Sequence, residues 1–278
     1  MIIHSDWHIH SEYSHDAFYS LDSIALDAKE QGLCFCGVTD HINYNDEKFL
    51  GDLRASAAGV NEARKKYPYM ILGAELSPIA KPEFDYIAQN GTLDGYVPKI
   101  QSEPCGIELA ASKEELVALG LRYAVGAAHF LLDRPLSQMA AAGLDVNIKE
   151  WYRMQMWLAC DERVTILGHP WYHDNRLWYD DFSIIPHSMN MDLAAALKEN
   201  GKYIECNAHF FKDDDTSERF KRQYAEFLRE FFEMGIPVTY GSDAHCHDTD
   251  HRPVVSKYLE MAGFKDGDVS ELSEASLW

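Results

Sequence analysis

The sequence lacks a long hydrophobic run. No stretch of its 278 residues approaches the roughly 20 apolar residues that a membrane-spanning helix needs. The opening MIIHSDWH has no basic region, and its apolar run is too short for a secretory signal peptide. We therefore expect a cytoplasmic protein without a membrane partner.

Basic residues are also scarce. The chain has 25 Lys and Arg against 45 Asp and Glu, which gives a formal net charge of −20. Proteins that bind long nucleic acids usually present a basic face to the phosphate backbone, so we do not expect a long nucleic acid as partner. A metal cluster can still create a local positive field inside an acidic protein, so small anionic ligands are not excluded.

Paired cysteine motifs are missing as well. None of the six cysteines forms CxxC, and contexts such as CFCGVTD and IECNAH resemble buried strands. We interpret all six as reduced core thiols in a reducing compartment. The spacing of Cys34 and Cys36 would place both sulfurs on one strand face, which without a second pair is weak evidence for zinc.

What the sequence does contain is a regular alternation of short apolar runs with longer amphipathic stretches. Strands are predicted near 2–9, 34–40, 70–76, 123–132, 164–170, 203–211 and 237–245. Helices are predicted near 20–31, 46–66, 112–120, 148–162, 189–200, 216–234 and 253–262. Buried strands separated by helices indicate parallel α/β structure, either a doubly wound sheet or a barrel.

We expect one domain over residues 1–278, because this length is normal for an α/β barrel and 46% of the residues are hydrophobic. Residues 77–111 interrupt the alternation with turn signals such as NG and DG, and we expect an excursion or hairpin over one end. The segment 264–278 is expected to be a peripheral tail.

Nearly every predicted strand ends with a side chain that can bind a metal. In a parallel barrel these ends converge on one face, where barrel enzymes carry their chemistry. Residues two apart on a strand share a face, so His8 and His10 can chelate together, as can Asp243 and His245. Imidazole with carboxylate suits zinc, manganese or iron better than calcium. The other strand ends supply His41, Glu75, His129, His169, Glu205 and Asn207.

The ordered motifs DWHIH, TDH, GAE, GAAHFL, GHPW and GSDAH resemble the PHP (polymerase and histidinol phosphatase) family, and most closely its histidinol-phosphate phosphatase-like branch. The resemblance runs from residue 6 to about residue 245. It implies a distorted (β/α)7 TIM-like barrel with three divalent metal ions at the C-terminal ends of the strands. The first ion would be held by His8, His10, Glu75 and Asp243. The second would share Glu75 with His129 and His169, and the third would be held by His15, His41 and His245.

The ligand from the stretch HSEYSHDA has two candidates. The family often has Asp at the position of His15, and either residue type can ligate, so Asp16 competes with His15 for this role. Glu12 is expected to be solvated, and Asp6 is expected to orient an imidazole. The histidines that fit the motifs less well are taken as surface or supporting residues: His4, His173, His187, His209, His247 and His251.

The implied cluster predicts phosphoester hydrolysis. Three divalent ions with two carboxylates and neutral imidazoles leave a charge of about +4, which attracts anions. A water on such ions can ionise near neutral pH, so a metal-bound hydroxide would attack the phosphorus atom. Arg176 and Arg134 are predicted to bind the phosphate because a guanidinium matches its oxygens, and His41 is a further substrate-binding candidate. We place His245, Asp243 and Arg176 in catalytic roles, and His245 or an acidic neighbour could protonate the leaving alkoxide.

The predicted substrate is a small phosphomonoester. L-Histidinol phosphate is the best-known substrate of the family, and an amine suits an acidic rim. The alternatives are a nucleotide phosphoesterase or phosphodiesterase, a metal-dependent amidohydrolase and a non-catalytic PHP module. The amidohydrolase usually relies on a ligating or carboxylated Lys, which no predicted strand end offers, and a non-catalytic module should have lost ligands that this chain retains.

Overall fold

A computed structural model describes residues 1–98, 104–133, 142–247 and 249–278. The strands within these ranges are β1 (Ser5–Ile9), β2 (Phe35–Val38), β3 (His41–Ile42), β4 (Met70–Leu72), β5 (Glu75–Leu76), β6 (Ile79–Ala80), β7 (Ile107–Glu108), β8 (Val125–Gly126), β9 (Ile166–Leu167), β10 (Tyr203–Asn207) and β11 (Val238–Gly241). The helices are α1 (Leu21–Glu30), α2 (Glu47–Ala63), α3 (Lys81–Asn90), α4 (Lys113–Ala118), α5 (Leu144–Cys160), α6 (His187–Glu199), α7 (His209–Lys212), α8 (Glu218–Glu233) and α9 (Arg252–Met261).

The strands form a distorted (β/α)7 barrel, which confirms the predicted fold class. Parallel pairing runs in the order β1-β2-β4 and in the order β3-β5-β8-β9-β10-β11. Strands β2 and β3 share one position of the barrel, and so do β4 and β5. The residues after β11 return to β1, because Asp243 N donates to His8 O at 2.8 Å and His10 N donates to Ala244 O at 2.9 Å.

Two strands, β8 and β9, are shorter than predicted at their C-terminal ends. Strand β8 stops at Gly126 and β9 stops at Leu167, although apolar residues continue in both sequences. His129 and His169 therefore lie in the loops that follow, and His169 has a positive φ of 21°. The chain bends at these points and turns the imidazoles toward the barrel axis.

The predicted helices are present, and local sequence explains their ends. Ser112 and Glu115 form the predicted capping box at the start of α4. Gly201 and Gly235, just after α6 and α8, have φ of 63° and 88°, a conformation that glycine adopts without strain. Helix α5 begins at Leu144, four residues before the predicted 148.

The segment 77–111 forms an antiparallel pair, β6 with β7, around helix α3. The hairpin character was predicted, but the helix was not. Its sequence signals are Pro82 in the first turn and Gly91, with φ of 77°, at the C-terminal cap. Residues 99–103 of this segment lie outside the described residues.

The N-terminal end of the barrel is filled by apolar side chains. They form a buried cluster of Trp7, Ile71, Tyr123, Val125, Ile166, Tyr203 and Leu272. Leu272 comes from the C-terminal segment, which pairs with the barrel where Ser270 N donates to Val238 O at 2.7 Å. The segment ends where Trp278 N donates to Arg122 O at 2.6 Å.

The cysteine prediction was wrong for half of the thiols. All six are free, but Cys34, Cys160 and Cys246 are exposed, because they lie outside the strand interiors. Cys36 is buried on β2 while Cys34 is exposed, so the pair does not share one environment. Within the described ranges, no helix combines the length and the apolar character needed to cross a membrane.

Candidate metal centre

Glu75, the first residue of β5, lies at the centre of a cluster of imidazoles and is fully buried. Its Oε1 is 2.9 Å from His169 Nε2 and 3.3 Å from His129 Nε2. Its Oε2 is 3.4 Å from the Nε2 atoms of both His8 and His10. The carboxylate thus faces two groups of nitrogen atoms, as a bridging ligand would.

A first group of donors combines β1 with the end of β11. His8 and His10 point to the same side of β1, and their Nε2 atoms are 3.1 Å apart. Asp243 Oδ1 lies 3.2 Å from His10 Nε2 and 3.7 Å from His8 Nε2. Burial alone would raise the pKa of Asp243, but His8 and His10 lower it well below its usual range. Asp243 is therefore ionised and able to bind a cation.

A second group lies on the other side of Glu75. His129 follows β8, and its Nδ1 is hydrogen-bonded to Ser77 Oγ at 2.9 Å, which leaves Nε2 facing Glu75. His169 follows β9, and its ring lies 5.0 Å from the ring of His129. Two imidazoles and one carboxylate oxygen converge here, a donor set that suits zinc, manganese or iron.

A third group lies nearer to the solvent. His41 Nε2 and His245 Nε2 are 3.4 Å apart. Asp16 Oδ2 is 3.3 Å from the first and 3.4 Å from the second. His15 lies beside this group, with its Nδ1 3.8 Å from Asp16 Oδ1 and its ring 5.4 Å from that of His41.

The donors fit divalent cations. Burial, with a contribution from His41, lowers the pKa of His10 to about 3, so His10 is in the neutral form that binds metals. Burial also disfavours the charged form of His41. Glu75 and Asp16 nevertheless raise its pKa to about 10, so the surroundings of this imidazole favour a positive charge. Glu75 Oε2 and His41 Nδ1, both buried, lie 2.6 Å apart.

Glu205 on β10 supports the cluster, a role that the sequence did not reveal. Its Oε1 lies 2.7 Å from His8 Nδ1, and its Oε2 accepts from His169 N and from Asn207 Nδ2. Gly241 makes room for it, since a Cβ there would lie 1.9 Å from Glu205 Oε1. A carboxylate on the far nitrogen of a ligating imidazole fixes its orientation and tautomer.

Asp6 does not orient an imidazole as predicted. Its Oδ1 accepts from the backbone N–H groups of His8, at 3.1 Å, and Ser242, at 3.0 Å. It therefore joins β1 to the residue after β11. Glu12 is exposed, in agreement with the prediction.

A cavity of about 260 Å³ opens above the cluster. Besides residues of the three donor groups, it is lined by Asn43, Phe130, Tyr172, Asp174 and His209. His209, taken from the sequence as a surface or supporting residue, presents a buried Nδ1 without a hydrogen-bond partner. Among the described residues, no Lys or Arg lines the cavity.

Arg176 is not among the residues that line the cavity, and its phosphate-binding role stays a prediction. It has a positive φ of 52°, and its guanidinium pairs with Asp213 and lies 3.9 Å from Asp215. Arg134, the other predicted phosphate ligand, lies outside the described residues.

Comparisons with known proteins agree with this architecture. The profile of the PHP domain family matches residues 6–209. A histidinol phosphate phosphatase from Lactococcus lactis subsp. lactis Il1403, solved with zinc, L-histidinol and phosphate, is similar over 99% of this chain and 98% of its own, with a TM-score of 0.69 and 16% identity. A Listeria monocytogenes protein with the proposed activity of a histidinol phosphatase is similar over 87% and 95%, with a TM-score of 0.60 and 16% identity. No curated protein matches by sequence.

Proposed function

This chain belongs to the PHP domain family, and from that premise we propose that it is a metal-dependent phosphatase of a small phosphomonoester. The observation that carries the proposal is the convergence of imidazoles and carboxylates around the buried Glu75 at one end of the barrel. Three such groups of donors open into one cavity, which is the arrangement that a cluster of metal ions needs.

We propose zinc, manganese or iron as the ions, because these metals prefer imidazole and carboxylate ligands. When bound, they would polarise the phosphoryl oxygens and lower the pKa of a coordinated water towards about 7. The chain would hold two of them with the two groups that share Glu75. These ligands are His8, His10, Glu75, His129, His169 and Asp243.

The residues at the cavity floor would position the phosphoryl group. Asp243 and His245 both line the cavity, so they are placed to contact the reacting atoms. His209 could donate its Nδ1–H to a phosphate oxygen, because that buried atom has no hydrogen-bond partner among the described residues. His41, the substrate-binding candidate of the sequence, lines the same wall.

The loop after β9 supports a more specific proposal about the substrate. Two hydrogen-bonded contacts hold this loop. The backbone N–H of Trp171, a residue with φ of 65°, donates to Gln155 Oε1 at 3.0 Å, and His173 Nε2 lies 3.0 Å from Asn147 Oδ1. It presents Tyr172 and Asp174 to the cavity. A carboxylate beside an aromatic ring suits an ester whose organic part carries a cation.

L-Histidinol phosphate fits that description, since it combines an amine with an imidazole ring. The Lactococcus lactis protein, which has a similar fold, was solved with L-histidinol and phosphate. This similarity supports L-histidinol phosphate as the proposed substrate. The products would be L-histidinol and phosphate.

The test is phosphate release from a panel of small esters by zinc- or manganese-loaded protein, with a chelator-treated control. The panel contains L-histidinol phosphate, an amine-free aryl phosphate, mononucleotides and a phosphodiester. We expect chelator-sensitive release that is fastest with L-histidinol phosphate. Release from mononucleotides alone would support the phosphatase activity but would show that L-histidinol phosphate is not the substrate. No release from any ester by metal-loaded protein would reject the proposal.

A further inference from the structure

We propose that Asn43 is a substrate-binding residue whose side-chain Nδ2 donates a hydrogen bond to the phosphate group of the ester. The inference rests on the proposed function, because it places a contact with the substrate in the same cavity. The sequence motifs did not single out this residue, which follows directly after β3 and lies two positions after His41.

The first argument is what the Asn43 side chain offers to a ligand. Asn43 is buried, with 6% of its surface exposed, and it lines the cavity above the cluster. Its Oδ1 is already used, because Ser77 Oγ donates to it at 2.6 Å. Its Nδ2 does not donate to any residue in the ranges that the structure describes. The group that faces the cavity is therefore an amide nitrogen with two hydrogens to donate.

The second argument is that Ser77 fixes which end of this amide faces the cavity. A serine hydroxyl carries one hydrogen, and here Ser77 gives it to Asn43 Oδ1. Ser77 Oγ also lies 2.9 Å from His129 Nδ1, so it accepts a hydrogen bond from that nitrogen. His129 then carries its hydrogen on Nδ1 and keeps a lone pair on Nε2, the atom that lies 3.3 Å from Glu75 Oε1.

The reversed amide would be incompatible with a metal ion on His129. With Nδ2 toward Ser77, the hydroxyl would accept a hydrogen bond from Asn43 and donate its own hydrogen to His129 Nδ1. The hydrogen of the imidazole would then be on Nε2, where it blocks the lone pair that a cation needs. The orientation of Asn43 is therefore the one that metal binding by His129 requires.

The third argument is that phosphate is the part of the substrate that such a donor fits. Asn43 is linked through Ser77 to His129, a proposed ligand of the second ion, so it lies beside the metals that would bind the phosphoryl group. Tyr172 and Asp174, proposed to contact the organic part, follow β9 instead. Phosphate oxygens accept hydrogen bonds, and a neutral amide binds them without adding charge to a cavity that the metal ions would already make positive.

Asn43 and His209 would hold the phosphate from different sides. Asn43 follows β3 and His209 follows β10, and β5, β8 and β9 lie between these two strands in the sheet. Both are neutral donors, in a cavity that no Lys or Arg of the described residues lines. Donors held in place before the substrate arrives need no reorganisation when it binds.

The experiment measures the binding of inorganic phosphate to the zinc-loaded, full-length protein by isothermal titration calorimetry, without turnover. Asn43→Ala removes the donor without changing the charge. Asn43→Asp keeps an acceptor for Ser77 but replaces the N–H groups with a second oxygen. Asn45→Asp is the matched control, because Asn45 donates to Phe84 O and is not among the residues that line the cavity. Elemental analysis of zinc and circular dichroism check that each variant is loaded and folded.

We expect the dissociation constant of phosphate to rise about 10- to 100-fold in Asn43→Ala, which is the loss expected for a hydrogen bond to a charged group. It should rise further in Asn43→Asp, because the new carboxylate repels phosphate, while Asn45→Asp should bind phosphate as the wild type does. Zinc content should be the same in all four proteins.

Wild-type phosphate affinity in zinc-loaded Asn43→Ala would overturn the proposal, and so would an equal loss of affinity in Asn45→Asp. Loss of phosphate binding only together with loss of zinc would give Asn43 a structural role and would overturn it too, as would a zinc-loaded wild type that binds no phosphate. A wild type whose phosphate binding depends on Asn43 but that hydrolyses no ester would instead defeat the proposed function and leave this binding site intact.

Discussion

The two ends of the barrel are built from the same strands but differ in chemistry. At the N-terminal end, Trp7 and Val125 belong to an apolar cluster around the fully buried Tyr123. One residue further along β1, His8 belongs to the polar cluster around Glu75 at the other end. Both ends are buried, so burial alone does not distinguish them. The difference lies in the chemistry of the buried groups, which are apolar side chains at one end and imidazoles and carboxylates at the other.

Close packing at each end depends on a glycine. At the apolar end, a Cβ on Gly73 would lie 2.7 Å from Tyr123 Cζ. At the polar end, a Cβ on Gly241 would lie 2.7 Å from His8 Cβ and closer still to Glu205. We therefore expect substitutions at the apolar end to change stability, and substitutions at the polar end to change metal binding and activity.

The largest effect is expected for His169→Ala at the polar end. The variant loses a nitrogen that faces Glu75 at 2.9 Å, and with it a ligand of the second ion. Turnover should fall by more than about 100-fold. Loss of a group that only supports a metal ligand costs about 10- to 100-fold in activity, and loss of the ligand itself should cost more. Phosphate release measures it, and circular dichroism should show a folded chain. His187→Ala, an exposed imidazole paired with Glu230, is the matched control and should keep its activity. Wild-type turnover in His169→Ala would contradict the assignment.

A smaller effect at the same end is expected for Glu205→Gln. Glu205 accepts from three donors, on His8, His169 and Asn207, and the amide group of Gln would turn its own N–H toward one of them. Affinity for the metal should fall about 10- to 100-fold. Competition with a chromogenic chelator measures the dissociation constant. An unchanged affinity would show that Glu205 does not orient His8.

At the apolar end, Gly73→Ala should destabilise the fold by about 1–3 kcal/mol, because the new methyl group overlaps Tyr123. Urea denaturation of the metal-free protein measures the free energy of unfolding. Gly51→Ala in helix α2, where the nearest atom to a new Cβ is 3.9 Å away, is the control and should be neutral or stabilising. Reduced metal content per folded Gly73→Ala chain would show that the two ends are not independent.

The smallest effect is expected at the cavity rim. Asp174→Asn removes an exposed carboxylate, and exposed ion pairs contribute about 0.2–1 kcal/mol. The KM for L-histidinol phosphate should therefore rise by at most about 5-fold. The KM for an amine-free aryl phosphate should not change, and an equal rise for both esters would mean that Asp174 does not select the cation.

The sequence predicted the barrel, because short apolar runs alternate with amphipathic stretches along the chain. It also predicted metal-competent side chains at the strand ends, and the structure places His8, His10 and Asp243 close to one another beside Glu75. It could not decide between His15 and Asp16, since the two are adjacent in a loop where no strand periodicity applies. It did not reveal the pairing of Arg176 with Asp213, because the two residues are 37 positions apart in the chain. The role of Glu205 depends on Gly241, a neighbour only in three dimensions.

The most direct test of the central claim, that the polar end of the barrel is a metal centre, is anomalous diffraction from crystals of the zinc-loaded protein at the zinc absorption edge. We predict three anomalous peaks within bonding distance of the three donor groups around Glu75. Zinc peaks only at other surface sites, with Glu75 and its imidazoles in direct contact as they are here, would contradict it.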